Sequence, residues 1–223
     1  MPTIKINHPG LKLREKSRVH RSIIDSKTGR RKTDVVVGWP IEQINNKKIE
    51  LWPSDAHEMY KNTKAYISYD LKKYNLKKKV DVLVLGPGTG EEVVFIKKQL
   101  GKKSNVDTLG LTNYLSKEAN KVKRKDYSPK VLNEKTTFEH FNHLGLVEKY
   151  DYIFSRLGPG MHTFYPEIVL LKVASILRPG GFARIYCNPV DLGYINEYLN
   201  KKDLQDKVKF KQFTDYVLIK RLK

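Results

Sequence analysis

The densest group of residues able to do chemistry is Leu85-Gly86-Pro87-Gly88-Thr89-Gly90-Glu91-Glu92. Glycines at 86, 88 and 90 let backbone approach a ligand where a Cβ would collide, and a helix opening near Gly90 points free N–H groups at that ligand. A nucleoside-triphosphate loop would close Gly-Lys-Ser/Thr, and this one closes Gly90-Glu91-Glu92. A dinucleotide loop would place a glycine three residues after Gly88, where Glu91 stands, and two carboxylates there would repel a pyrophosphate. They suit a ligand with a positive sulfonium and an amino group. A second stretch, Arg156-Leu157-Gly158-Pro159-Gly160-Met161-His162-Thr163, offers His162 as a base near neutral pH. Cys187 is the only cysteine, which excludes an intrachain disulfide and fits a reducing, cytoplasmic setting. Its apolar surroundings read as a strand, and the thiol as buried.

The elements that position these residues alternate from residue 80 onward. The pattern predicts strands at 80–85, 105–111, 135–139, 150–155 and 182–187, and helices at 90–100, 115–125, 141–147, 164–177 and 191–201. Two closing strands, 207–213 and 216–221, meet at Thr214-Asp215. Such alternation means a mostly parallel sheet with helices on both faces, edged by an antiparallel hairpin. Residues 1–55 read as a basic, β-rich extension, with strands 18–25 and 32–38 around a turn at 26–30 and a weaker hairpin pairing 41–44 with 48–52. Ser54 is placed to cap a helix over 55–69, so that the α/β domain takes residues 56–223.

With 223 residues and 39% hydrophobic content, the chain can bury a sizeable core. Its 43 Lys+Arg against 24 Asp+Glu give a net charge of +19, which points to nucleic acid, RNA or DNA, as a partner. Residues 1–80 carry 19 of those cations against 8 acids. Arg18, Arg21, Arg30, Arg31 and Lys32 are therefore candidate polyanion contacts, with Arg156 beside them as a candidate at the site itself. No apolar run approaches the roughly 18 residues of a membrane span.

Taken together, these motifs resemble the class I, Rossmann-like S-adenosylmethionine-dependent methyltransferases. Leu83 to Glu91 is similar to that family's first motif, Val106-Asp107-Thr108-Leu109-Gly110-Leu111-Thr112 to its second strand, Tyr150 to Ser155 to its fourth, and Leu177-Arg178-Pro179-Gly180-Gly181-Phe182 to the turn before its fifth. Glu139 falls where an acidic or polar residue closes over the adenine. The resemblance spans residues 80–187 and implies a seven-stranded sheet of order 3-2-1-4-5-7-6. It also implies S-adenosylmethionine as cofactor, held by Gly86, Pro87, Gly88, Thr89, Gly90, Glu91, Thr112, Asn113, Glu139 and Ser155. Two departures stand out: Val84 occupies a position where the family usually has an acid, and Thr112-Asn113 replaces the acid that holds the ribose. Weaker cofactor binding is the implied consequence.

Signatures of particular acceptors are absent. Asn188-Pro189 lacks a second proline and aromatic, the fourth strand ends Ser155-Arg156 and not in aspartate, and no Pro-Cys nucleophile occurs. Nucleic acid, RNA above all, is the acceptor the charge favours. The alternatives are a small-molecule or lipid acceptor, a non-catalytic nucleic-acid-binding protein on the same scaffold, and aminopropyl transfer. The last needs acids to hold a polycation, which this basic chain lacks at the relevant place.

Overall fold

Val82-Leu83-Val84-Leu85 is apolar without alternation, the pattern of a strand covered on both faces. In the computed structural model these four side chains are at most 2% exposed. The structure describes residues 4, 23–24, 31–32, 57–74, 79–87, 91–101, 104–110, 130–133, 138, 142–156, 158–161, 166–187, 199 and 202–223.

The first described elements are β1 (Ile23–Ile24) and β2 (Arg31–Lys32), an antiparallel pair in which Ile23 is paired with Lys32. Helix α1 (His57–Leu71) follows, then β3 (Asp81–Leu85), α2 (Glu91–Leu100), β4 (Asn105–Gly110) and β5 (Lys130–Asn133). After a 3-10 turn at Leu144–Leu146 come β6 (Tyr150–Ser155), α3 (Pro166–Ile176), β7 (Leu177–Tyr186), α4 (Lys202–Gln205), β8 (Val208–Gln212) and β9 (Tyr216–Arg221). Seven strands form one sheet in the order β5-β4-β3-β6-β7-β9-β8. Counted in chain order within that sheet, the neighbours run 3-2-1-4-5-7-6. Strands β3 to β7 are parallel, and β9 joins β7 and β8 antiparallel.

Two apolar layers sandwich the sheet. On one face, α1 and α2 contribute Ile67, Leu71, Val93, Ile96 and Leu100, which pack with Val82, Val84, Tyr152, Phe154, Phe182 and Tyr186. On the other, α3 is buried along its whole length against Leu83, Leu85, Ile153, Ala183 and Ile185. A helix apolar all round is a helix with no solvent face. Ile4 lies in the same core, so the N-terminal stretch contributes a side chain to the sheet domain's packing.

Two strand boundaries differ from the pattern. The strand expected at 135–139 is Lys130–Asn133, fixed by its register with β4, in which Asp107 pairs with Lys130 and Gly110 with Asn133. Phe138 is instead a turn residue, packed into the core with its carbonyl accepting from Lys172 Nζ at 3.2 Å. Strand β7 begins at Leu177, opposite Tyr150, and the next partners are Tyr152 and Phe182. The expected turn is thus an outpouching of residues 178–181 within the strand, with Gly180 at φ 83°. Helix 141–147 shrinks to the single 3-10 turn. Helix 115–125, most of 191–201 and the hairpin at 41–52 lie outside the described residues.

Candidate functional site

The neighbours of β3 set where a ligand can sit. Strand β4 lies on one side and β6 on the other, so the connections leaving the carboxyl ends of β3 and β6 diverge and open a crevice at the switch point. Gly86 turns out of β3 at φ 60°, a left-handed conformation that glycine adopts without strain, while its N–H donates to the Leu109 carbonyl at 2.9 Å. Pro87 is buried, and α2 opens at Glu91.

Ser155 ends β6 directly across from this turn. It is fully buried, and its hydroxyl donates to the Leu85 carbonyl at 3.2 Å, joining the carboxyl ends of β3 and β6. The chain then folds back over those ends, with Met161 N–H donating to the Gly158 carbonyl at 3.0 Å. A Cβ on Gly158 would strike Ser155 Oγ and come within 2.6 Å of the Leu85 carbonyl oxygen. One on Gly160 would strike the Tyr186 carbonyl oxygen and lie 2.8 Å from Ile185. These two glycines let the loop after β6 lie flat on three strand ends.

Aromatic rings wall the other side of the crevice. Tyr186, the last residue of β7, stands 5.5 Å from Tyr216 and edge-on to Phe154 at 6.3 Å. Tyr216 stacks on Phe213 at 4.5 Å and meets Tyr66 of α1 at 6.0 Å. Burial pushes the Tyr186 hydroxyl up to about 12, with Asp215 and Tyr66 adding to the rise against Arg184 and Arg156. Tyr186 therefore stays protonated at neutral pH. Beneath the rings, Arg184 lies between Tyr66 and Tyr216, 4.7 and 4.5 Å from their centroids. Its Nε and Nη2 donate to the two oxygens of Asp70 at 2.7 and 2.9 Å, and Tyr152 donates to the same carboxylate at 3.1 Å. This cluster pins α1 to the sheet and holds Tyr66 at the crevice.

Of the residues singled out from the sequence, Gly86, Pro87, Ser155 and Arg156 meet at the crevice, and Glu91 starts α2. Arg31 and Lys32 form β2. Gly88, Thr89, Gly90, Thr112, Asn113, Glu139, His162, Arg18, Arg21 and Arg30 lie outside the described residues. Sequence reasoning missed Gly158, Gly160, Tyr186, Tyr216 and Tyr66. The signal for Tyr186 was available, since it alternates with Phe182 and Arg184 along β7. Among the described residues, no group of three or more His, Cys, Asp or Glu could hold a metal ion. Nor is any described helix long and apolar enough to cross a membrane.

Comparison with known proteins completes the picture. No family model matches the chain, and no curated protein sequence does. Among solved structures, a putative rRNA-methylase from Clostridium thermocellum aligns over 74% of this chain and 96% of its own at 15% identity, with a TM-score of 0.52. A protein from Corynebacterium glutamicum aligns over 82% of this chain and 89% of its own at 11% identity, with a TM-score of 0.54. The chain has the fold of the class I S-adenosylmethionine-dependent methyltransferases. A putative sarcosine dimethylglycine methyltransferase from Galdieria sulphuraria is also similar, at 16% identity and a TM-score of 0.49, over 70% of this chain. The chain spans 64% of that protein's length. What is described of the crevice fits the cofactor of that fold: glycine stands where left-handed backbone is needed, and a helix opens shortly after Pro87 at the switch point.

Proposed function

We propose that the chain transfers a methyl group from S-adenosylmethionine to RNA. The observation that carries the methyl-transfer reading is the Gly86 turn, which leaves the central strand at the switch point and leads into a helix headed by Glu91-Glu92. Those carboxylates favour a cationic ligand over a polyphosphate. The net charge of +19 supports RNA as acceptor, with residues 1–55 as the extension that meets it through Arg18, Arg21, Arg30, Arg31 and Lys32.

When bound, S-adenosylmethionine supplies a methyl group on a positive sulfur that is already a good leaving group. The chain's own part is to bind, align and deprotonate. A bound cofactor would be held at its methionine part by the backbone of residues 86–90, at its positive charge by Glu91, at the ribose by Thr112 and Asn113, and at the adenine by Glu139. Ser155 holds the two strand ends at a fixed spacing, which keeps the acceptor in line. His162 takes the proton from the acceptor oxygen or nitrogen.

Calorimetry is expected to register binding of S-adenosylmethionine and of its demethylated product, and Gly88→Val to abolish both. Incubation with methyl-labelled S-adenosylmethionine and fractionated cell extract should put label into RNA. Absence of heat with either ligand would sink the methyl-transfer reading, and label confined to small molecules, lipid or protein would sink RNA as acceptor. Tight polynucleotide binding without cofactor binding would select a non-catalytic binding protein.

A further inference from the structure

Among the described residues three arginines are buried: Arg156 at 7% exposure, Arg184 at 2% and Arg221 at 5%. Each has an Nη1 without a hydrogen-bond acceptor. In Arg184 the other nitrogens reach Asp70 at 2.7 and 2.9 Å, and in Arg221 Nη2 faces Glu148 at 3.6 Å. Arg156 has no carboxylate partner among the described residues, and it is the one of the three that sits at the carboxyl edge of the sheet. A guanidinium taken out of water without a counter-ion costs several kcal/mol, so a fold keeps one only where something offsets the cost.

The surroundings say what that is. Arg156 follows Ser155, which is hydrogen-bonded across to the end of β3 at the Gly86 turn. The loop that continues from it is pressed onto the strand ends through Gly158 and Gly160. A planar fork of donors matches an oxyanion bound in two-pronged fashion.

We infer that Arg156 is an acceptor-side anion-binding residue that takes a phosphate group of the RNA next to the methylated position. The inference rests on the crevice being where the acceptor enters. Phosphate is favoured over carboxylate because the chain's net charge of +19 already selects a polyphosphate partner.

The test uses the full chain and three variants. Arg156→Leu removes the fork, Lys209→Gln removes one exposed cation on β8 as a control for general charge, and Arg184→Leu breaks a partnered arginine. Inorganic phosphate at fixed ionic strength should raise the melting midpoint of the wild type and of Lys209→Gln, and leave Arg156→Leu unmoved. Acetate should protect none of them. Without ligand, Arg156→Leu should melt at or above the wild-type temperature, because no partner among the described residues is lost, whereas Arg184→Leu should melt lower. Affinity for a single-stranded RNA oligonucleotide should fall about tenfold to a hundredfold in Arg156→Leu, the usual effect of losing hydrogen bonds to a charged group. Cofactor affinity in calorimetry should not change.

Phosphate protection that survives Arg156→Leu would overturn the inference, as would a lower melting point for that variant in the absence of ligand. Loss of cofactor affinity in that variant would reassign Arg156 to the cofactor, and protection by acetate would replace phosphate by carboxylate as the bound group. A wild type that binds no S-adenosylmethionine yet is protected by phosphate would remove the methyl-transfer reading and leave the anion site standing.

Discussion

At the amino ends of the parallel strands Arg178 donates to Asp81 and Asp151, each at 2.8 Å, while at the carboxyl ends of the same strands Arg156 has no such partner among the described residues. The amino edge is closed in other ways as well. Asp151 accepts the Asp81 N–H at 2.8 Å, Asn105 donates to Asp81 at 2.8 Å, Tyr74 donates to the Asp151 carbonyl at 2.6 Å, and Tyr150 donates to Asp107 at 2.8 Å. The carboxyl edge carries the left-handed Gly86, two glycines with no room for a Cβ, and the Arg156 guanidinium with its unpaired Nη1. One edge pairs its aspartates with Arg178, Asn105 and Tyr150 and serves stability. The other keeps backbone and charge available to a ligand.

The largest way to break this contrast lies between the edges. Asp70→Ala leaves Arg184 buried without its carboxylate, and chemical denaturation should show a loss of about 3–5 kcal/mol. A loss below about 1 kcal/mol would mean that the pair is solvated and does not anchor α1. Next comes Gly158→Ala, which drives a methyl group against Ser155 and the Leu85 carbonyl. Overpacking of this kind costs about 1–3 kcal/mol, and the expected accompanying sign is weakened cofactor binding, because the end of β3 must shift. The same stability loss with unaltered cofactor affinity would confine Gly158 to a structural role.

How much of this could be read from the sequence follows from how local each determinant is. Val82 to Leu85 and Tyr152 to Phe154 declare themselves because a central parallel strand needs a continuous apolar run. The glycine turn and the alternation of strands and helices are local in the same way. The strand Lys130–Asn133 is not: its four residues hold only Val131 and Leu132 as apolar side chains, and the β-branched run at Thr136-Thr137 is the better strand former in isolation. Pairing with β4 overrides that preference. The site divides likewise. Gly86 and Arg156 are adjacent to recognisable elements, but the Asp70–Arg184 pair joins residues 114 positions apart, and no spacing rule reaches so far. Tyr66 belongs to the crevice only because that pair holds α1 there.

Smaller effects test the closed edge. Arg178→Met removes both ion pairs, but the side chain is 39% exposed, so water already screens it and the expected loss is about 1 kcal/mol or less. Acid should act on the same edge. Burial alone would raise the Asp81 carboxyl, yet hydrogen bonds from Arg178 and Asn105 outweigh it and hold the group below its ordinary value. Such a group binds a proton more readily unfolded than folded, so its contribution is present above the ordinary carboxylate range and is lost as pH falls through the folded value. His143, lowered by burial and by the nearby Lys172, works in the same direction from a higher starting pH. Stability should therefore decline in two stages as pH drops, the first below about 6.5 from His143 and the second below about 4 from Asp81. Melting temperatures across pH 3 to 7 for the wild type, His143→Gln and Arg178→Met should separate the stages, since the first variant removes the upper one and the second reduces the lower. If Arg178→Met kept the full decline below about 4, the amino edge would owe its acid sensitivity to groups other than Asp81.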